Sequence, residues 1–446
     1  MDFASNIADL VSSVWTLASF LLAIAVIVTV HEYGHYIVGR WCGIKAEVFS
    51  LGFGKRLFAW TDKRGTRWQI AAVPLGGFVR FKGDADASSR ADSAALQGLS
   101  AKEIRQTMNG APLWARAATV VAGPLANFLL ALVLFAAVIL WNGVALDQPT
   151  IGALKNLPFA APHLQVGDTI TKVDGQATPD LSTFLTVADS LGDKPVVQYQ
   201  VTRGDQSLSL DGPNPLPPYA ASVQSPSAAE DAGIQAGDVI LKAAGQDIAS
   251  FSQLPKLIEA SGGAPVDLTL WRAGETLDVT LTPRSRDLPT ADGGFETRWL
   301  IGVTGGMVFD PLVRTPSVTE AVNLAWQQGW YMTKVNLSGL GYMVVGKISS
   351  CNVSSPIGMA KAVGAAARSG WESFLQTLAL VSLSIGLLNL FPIPVLDGGH
   401  LVFYAYEAVT GRPPNARALQ VLMMIGVGLL GALMLFAVFN DVIGCV

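Results

Sequence analysis

The chain has 446 residues, half of them hydrophobic and only 14% charged, with a formal net charge of −4. Several domains fit in that length, and without a dense basic patch nucleic acid is excluded as a partner. Three cysteines, with no C-x-x-C among them, do not make a disulfide framework.

Residues 10–30 contain no charged residue and no histidine, enough for a helix to cross a bilayer. His31-Glu32-Tyr33-Gly34-His35 follows directly. Spaced i and i+4 on a helix, His31 and His35 share a face and can reach one Zn²⁺, while Glu32 lies beside the metal, where it can take a proton from water. H-E-x-x-H alone also fits a pair of satisfied histidines. Its position argues for the site, because ionisable groups in an apolar span are costly and mark function. With no basic segment before it, the run is expected to stay as a membrane helix and not to be cleaved as a signal peptide.

Between the first span and the second, basic residues outnumber acidic ones, from Arg40, Lys45, Lys55 and Arg56 to Lys102, Arg105 and Arg116. This loop is expected on the cytoplasmic side, which puts both termini and the segment from about 147 to 372 outside. Cys42 then lies inside, whereas Cys351 and Cys445 share the outer side and could pair. Within the loop, Gln69-Ile70-Ala71-Ala72-Val73 and Phe78-Val79-Arg80-Phe81 alternate well enough for strands, read as a membrane-associated β-segment or an ordinary hairpin. The second uncharged run, 117–146, contains Ala122-Gly123-Pro124-Leu125-Ala126-Asn127, which suits helix bending and close packing or direct contact with substrate.

The next segment repeats itself. Val166-Gly167-Asp168-Thr169-Ile170 recurs as Ala236-Gly237-Asp238-Val239-Ile240, Gly175-Gln176 as Gly245-Gln246, and Thr202-Arg203-Gly204 as Trp271-Arg272-Ala273-Gly274 with one residue of slip. Two copies of one small β-rich domain, each with one helix, are expected. G-D-x-I-x-x-x-x-G resembles PDZ domains, which bind peptide ends by adding a strand to a sheet edge. The first copy carries Pro158, Pro162 and His163 where a carboxylate-binding loop would lie. Aromatic Trp326, Trp330 and Tyr331 then fall on a helical pattern that suits the membrane interface.

The third uncharged run, 373–396, ends in Asn389-Leu390-Phe391-Pro392-Ile393-Pro394-Val395-Leu396-Asp397-Gly398-Gly399-His400. Two prolines separated by one residue cannot continue an α-helix, so the backbone must break at membrane depth. Asp397 offers the third ligand of a catalytic zinc, with His400 as the competing candidate. A fourth uncharged run spans 418–440.

Together these residues resemble the site-2 protease family of intramembrane zinc metalloproteases, most closely its bacterial sigma-E-regulating branch with two PDZ domains, over nearly the whole chain. The resemblance implies a polytopic α-helical membrane protein: four transmembrane helices, a membrane-associated β-segment and two tandem PDZ-like domains on the extracytoplasmic side. Its parts would be 1–42, first helix; 43–112, cytoplasmic loop; 113–146, second helix; 147–212 and 213–286, the PDZ-like pair; 287–370, linker and interfacial helices; 371–400, third helix; and 401–446, loop and fourth helix. It further implies one zinc held by His31, His35 and Asp397, Glu32 as general base, and Asn389 positioning the substrate or its oxyanion. Substrate would touch Gly52, Phe53, Gly54, Gly76, Gly77, Phe78, Pro392 and Pro394. Single-pass membrane proteins, an anti-sigma factor above all, would be cut in the inner membrane after another protease has trimmed them. From a different class, the chain could be a peptide-binding receptor or scaffold with an inactive or structural metal site. Glu32 discriminates, because a closed structural site needs no adjacent base.

Overall fold

The computed structural model describes residues 3–84, 99–159, 163–290, 294–348 and 355–441. The chain divides into two units, one made of 1–138, 322–337 and 353–446, the other of 139–321 and 338–352. Cys351, Cys445 and Pro162 lie outside the described residues.

Helix α1 (Phe3–Trp41) carries the first apolar run and continues unbroken through the histidine motif. After it, β1 (Ala46–Thr61) and β2 (Arg67–Phe81) form a long bent pair in which residues 48–51 are flanked by 77–80 on one side and 67–70 on the other. Gly52 (φ +90°) and Gly76 (φ +156°) take the bends, in backbone conformations that side chains disfavour. Asp62 closes the turn by accepting the amides of Arg64 and Thr66 at 2.8 and 3.0 Å. One end of the pair packs with Tyr36, Ile44 and Met108, while Leu57, Phe58 and Trp60 at the other are largely exposed. A short helix α2 (Ala101–Ile104), closed by a Ser100–Glu103 capping box, leads into α3 (Leu113–Asn142).

In the second unit, β3 (Val144–Ala145) and β4 (Ile151–Leu154) precede a sheet of order β6-β5-β7-β8, formed by β5 (Thr169–Val173), β6 (Gln176–Ala177), β7 (Val196–Arg203) and β8 (Gln206–Pro213), with helix α4 (Leu181–Ser190). After β9 (Ala220–Val223) and α5 (Ala228–Asp231), the order recurs as β11-β10-β12-β13. These strands are β10 (Val239–Ala243), β11 (Gln246–Asp247), β12 (Val266–Arg272) and β13 (Glu275–Leu281), with helix α6 (Gln253–Ala260). Each sheet buries its own core, Ile170, Phe184 and Tyr199 in the first and Ile240, Leu254 and Leu268 in the second. The chain then turns back. Past the hairpin β14 (Arg284–Pro289) and β15 (Phe295–Leu300), β16 (Val303–Gly305) pairs with β9, β17 (Phe309–Pro311) with β4, and β18 (Val313–Arg314) with β3. Phe309 thus completes the first core and Ile301 the second.

Ser317 caps α7 (Val318–Val344), on which Trp326, Trp330 and Tyr331 are exposed. Helix α8 (Pro356–Ser369) lays Gly364 against Thr16 of α1, too close for any side chain at 364. Then come α9 (Trp371–Asn389), the proline-bearing break, α10 (Asp397–Thr410) and α11 (Ala416–Phe439). Four helices among the described residues are long and apolar enough to cross a membrane, over Val11–Trp41, Leu113–Asn142, Trp371–Asn389 and Arg417–Phe439. Their outer faces are apolar, with Leu129 60% and Leu435 74% exposed, as lipid favours and water does not. The third helix stops well before its uncharged run does, because Pro392 and Pro394 lack an amide proton and push the residues before them out of helical geometry.

Candidate metal centre

The break after α9 places the third donor. Leu390 caps the helix, and the segment folds back through bonds from Ile393 N to Phe391 O (2.7 Å) and Leu396 N to Ile393 O (2.8 Å). Only glycine fits next: a Cβ at 398 would lie 2.3 Å from the Leu390 and Phe391 oxygens, and one at 399 would lie 2.3 Å from that of Ile393. This tight turn sets Asp397 at the first position of α10.

Helix α1 brings the histidines to meet it. His31 Nε2 and His35 Nε2 lie 3.1 Å apart, and Asp397 Oδ2 stands 3.2 Å from the first and 3.5 Å from the second. Close as it is, that buried oxygen is in hydrogen-bond geometry with neither ring. All three donor atoms lie within 4.8 Å of one another. Two imidazoles and a carboxylate converging on one point, with an oxygen left unsatisfied between them, fit a cation better than they fit each other.

Helix α3 forms the floor. A Cβ at Gly123 would fall 2.3 Å from His35 Nε2 and 2.9 Å from His31 Nε2, so only the bare backbone leaves room for the two rings. Gly34 does the reverse, letting α1 come within 2.3 Å of the Ala122 oxygen at the position of a would-be Cβ. The Thr119 carbonyl accepts from His35 Nδ1 at 2.8 Å, and Asn127 Nδ2 lies 3.2 Å from His31 Nδ1. At Gly123 these contacts show close packing around the histidines. Arg116 further ties α3 to α10 by a two-pronged bond to Glu407 at 2.6 and 3.0 Å, with its guanidinium over Tyr404. Sequence reading missed this clamp. An arginine at a span's end reads as a topology signal, and nothing in the pattern names a partner 291 residues away.

The three donors line a cavity of about 360 Å³ together with Glu32, Gly77, Phe78, Asn389 and His400. Glu32 has the Val79 backbone amide within hydrogen-bonding reach of its carboxylate. His400 shares the cavity but is not among the converging donors. Asn389, the last residue of α9, donates Nδ2 to Ile385 O at 3.1 Å. Of the expected substrate-contacting residues, Gly77 and Phe78 line the cavity. Gly52, Phe53, Gly54 and Gly76 sit at the bends of the β pair, where the Phe53 ring covers Gly76 and stacks on Phe78 at 6.1 Å. Pro392 and Pro394 form the break and do not line the cavity.

The family model of peptidase family M50 matches residues 19–433. The chain belongs to that family. It is 35% identical over 426 residues to a putative zinc metalloprotease of Agrobacterium fabrum, covering 95% of this chain and 94% of that one. It is 34% identical over 464 residues to the regulator of sigma-E protease RseP of Escherichia coli, covering 97% and 99%. A further putative zinc metalloprotease, from Rhizobium meliloti, is 35% identical over 429 residues, 96% of each chain. As a member of M50, the chain is a zinc metalloprotease, as the motifs imply.

Proposed function

We propose that this M50 peptidase cuts peptide bonds inside the transmembrane segments of single-pass proteins. The observation that carries the reading is the convergence of His31, His35 and Asp397 among helices of membrane-spanning length, with Glu32 in the same cavity. His31, His35 and Asp397 would hold the zinc. When bound there, zinc would supply Lewis acidity, lowering the pKa of water toward neutrality and polarising the scissile carbonyl. Glu32 takes the proton of the attacking water and returns it to the leaving amine. Asn389 positions the substrate or its oxyanion, which its place on the cavity wall supports. A substrate helix hides its amides in internal bonds, so it must unwind onto a strand edge before it can be cut. Residues 77–81 of β2 flank β1 on one side and line the cavity through Gly77, Phe78, Val79 and Phe81, which suits them to be that edge.

By analogy with the regulator of sigma-E proteases, the substrate is an anti-sigma factor already trimmed by another protease, and the chain resides in the bacterial inner membrane. The two repeated sheets are PDZ-like domains on the periplasmic side, where they exclude substrates with bulky outer domains or sense peptide ends. Cysteine labelling of intact spheroplasts checks this orientation: a thiol introduced at Gly245 should react from outside and one at Gly65 should not. The reverse pattern would invert the topology.

Glu32→Gln tests the mechanism. The variant should keep close to one zinc per chain and lose cleavage of a single-pass substrate by at least about 10²-fold. Undiminished cleavage would remove Glu32 from the reaction.

A further inference from the structure

His35 sets the standard for its neighbour. Its Nδ1 lies 2.8 Å from the Thr119 carbonyl, which can only accept, so a neutral ring carries its proton on Nδ1 and leaves the Nε2 lone pair facing Asp397. His31 needs the same tautomer to offer Nε2. Among the described residues, its Nδ1 meets not a backbone carbonyl but the side chain of Asn127, about two turns further along α3 and wholly buried.

As oriented, Asn127 Nδ2 faces His31 Nδ1 at 3.2 Å, and Oδ1 is buried with no partner among the described residues. A donating Nδ2 forces the lone pair onto Nδ1 and the proton onto Nε2, the atom 3.1 Å from His35 Nε2. That tautomer cannot offer Nε2 to a metal. Half a turn of the amide exchanges two atoms of nearly equal size. Oδ1 then accepts the His31 Nδ1–H and Nε2 is freed, while Nδ2 takes the place that Oδ1 held. The third span holds the residue in place: Ser382 Oγ donates to the Asn127 carbonyl at 3.0 Å, and a Cβ at Gly386 would come 3.1 Å from Asn127 Cβ.

We infer that Asn127 is the positioning residue of the metal site, accepting the Nδ1 proton of His31 through Oδ1 and so fixing the tautomer and direction of that ring. The inference rests on the reading of His31, His35 and Asp397 as zinc ligands. Asn127 acts through His31 and needs no contact with substrate. Thr119 and Asn127 then play matching parts, one by a backbone oxygen and the other by a side-chain oxygen, and both come from α3. Groups that hold the far nitrogen of a ligating histidine typically change metal affinity by about 10- to 100-fold when removed.

The test uses the full chain in detergent micelles, stripped of zinc and titrated with zinc against a chromophoric chelator. Asn127→Leu should weaken zinc binding by about 10- to 100-fold, whereas Asn127→Asp, which keeps an acceptor oxygen at the same place, should bind within a few fold of the parent. Equal weakening in both variants would make the role one of packing and overturn the inference, as would unchanged affinity in Asn127→Leu. A second measurement needs no variant to fold: with four histidines in the chain, the ¹⁵N spectrum of the zinc-free parent should show His31 protonated at Nδ1. A proton at Nε2 with Nδ1 bare would overturn the inference. A parent that takes up no zinc at all would overturn the metal reading, and this one with it, whereas a zinc-binding parent that fails either test overturns the role of Asn127 alone.

Discussion

Asp168 in the first repeat and Asp397 in the membrane unit are both shielded carboxylates facing nitrogen, and their hydrogen bonding differs. Asp168 takes Arg203 Nε at 2.7 Å and Nη2 at 2.8 Å, one on each oxygen, and adds the Gln165 amide at 2.8 Å. The second repeat does the same: Asp238 takes Arg272 Nε and Nη2 at 2.7 Å each and the Gln235 amide at 2.8 Å. Those clasps are closed, with the guanidinium capped again by a backbone oxygen, that of His163 or of Gly233. Asp397 instead presents an oxygen that two imidazole nitrogens approach without bonding. A satisfied carboxylate stabilises a fold. A carboxylate left open where two histidines converge awaits a cation.

The sharpest way to break that contrast is to remove the open carboxylate. Asp397→Ala should lose bound zinc and reduce cleavage below detection, by at least about 10³-fold, while the fold of the repeats is untouched. His400→Ala should keep its zinc, because His400 lines the cavity without joining the converging donors. Metal analysis showing the reverse pair of results would make His400 the ligand.

The next experiment separates the two units, and how the sequence must be cut for it shows what was legible. Patterns local in the chain could be read directly: the four apolar runs, the H-E-x-x-H face, the break forced by Pro392 and Pro394, and the spacing that carries Asp168 to Asp238. Pairings distant in the chain could not. The short strands β16 and β17 follow the second repeat yet pair with β9 and β4, and nothing in a three-residue run of Val303–Gly305 announces a partner some eighty positions earlier. Likewise Arg116 gave no sign of Glu407, nor Asn127 of His31. Removing 147–283, the span of the repeat pattern, would leave β16 and β17 without partners and expose Phe309. The ends that meet in space are β3 and β18, where Val144 pairs with Arg314. Excision of 146–312 with a short turn joining those strands should let the enzyme cut an untrimmed substrate that the intact chain ignores, if the repeats exclude bulky outer domains. If they recruit trimmed ends, the same excision should slow cleavage of the trimmed substrate and leave the untrimmed one uncut. Trimmed substrate cut at the parent rate, with the untrimmed one intact, would rule out both roles.

The smallest effect is expected from opening a closed clasp. Arg203→Met leaves the Asp168 carboxylate buried with only the Gln165 amide, and should cost the first repeat about 3 kcal/mol, whereas Arg272→Met should cost the second a similar amount. Hydrogen exchange of the full chain reads the two locally: the first variant should lose protection in β7 and keep it in β12, and the second should do the opposite. Acid sharpens the comparison. Burial pushes the Asp168 carboxyl up, but the bonds from Arg203 and Gln165 and the charge of Arg203 outweigh it, leaving the group below its ordinary value. A carboxyl lowered by folding contributes stability that is complete above the unfolded value near pH 4 and is lost as pH falls through the lower folded value. The parent's β7 should therefore hold its protection from pH 7 to about 5 and lose it only in stronger acid. In Arg203→Met burial is no longer outweighed, the carboxyl rises, and the sign reverses: protonation relieves a buried charge, so β7 of the variant should gain protection as pH falls from 7 to about 5. Parallel pH profiles for parent and variant would show that Arg203 is not what neutralises Asp168, and the likeness drawn between the two clasps would rest on geometry without energy.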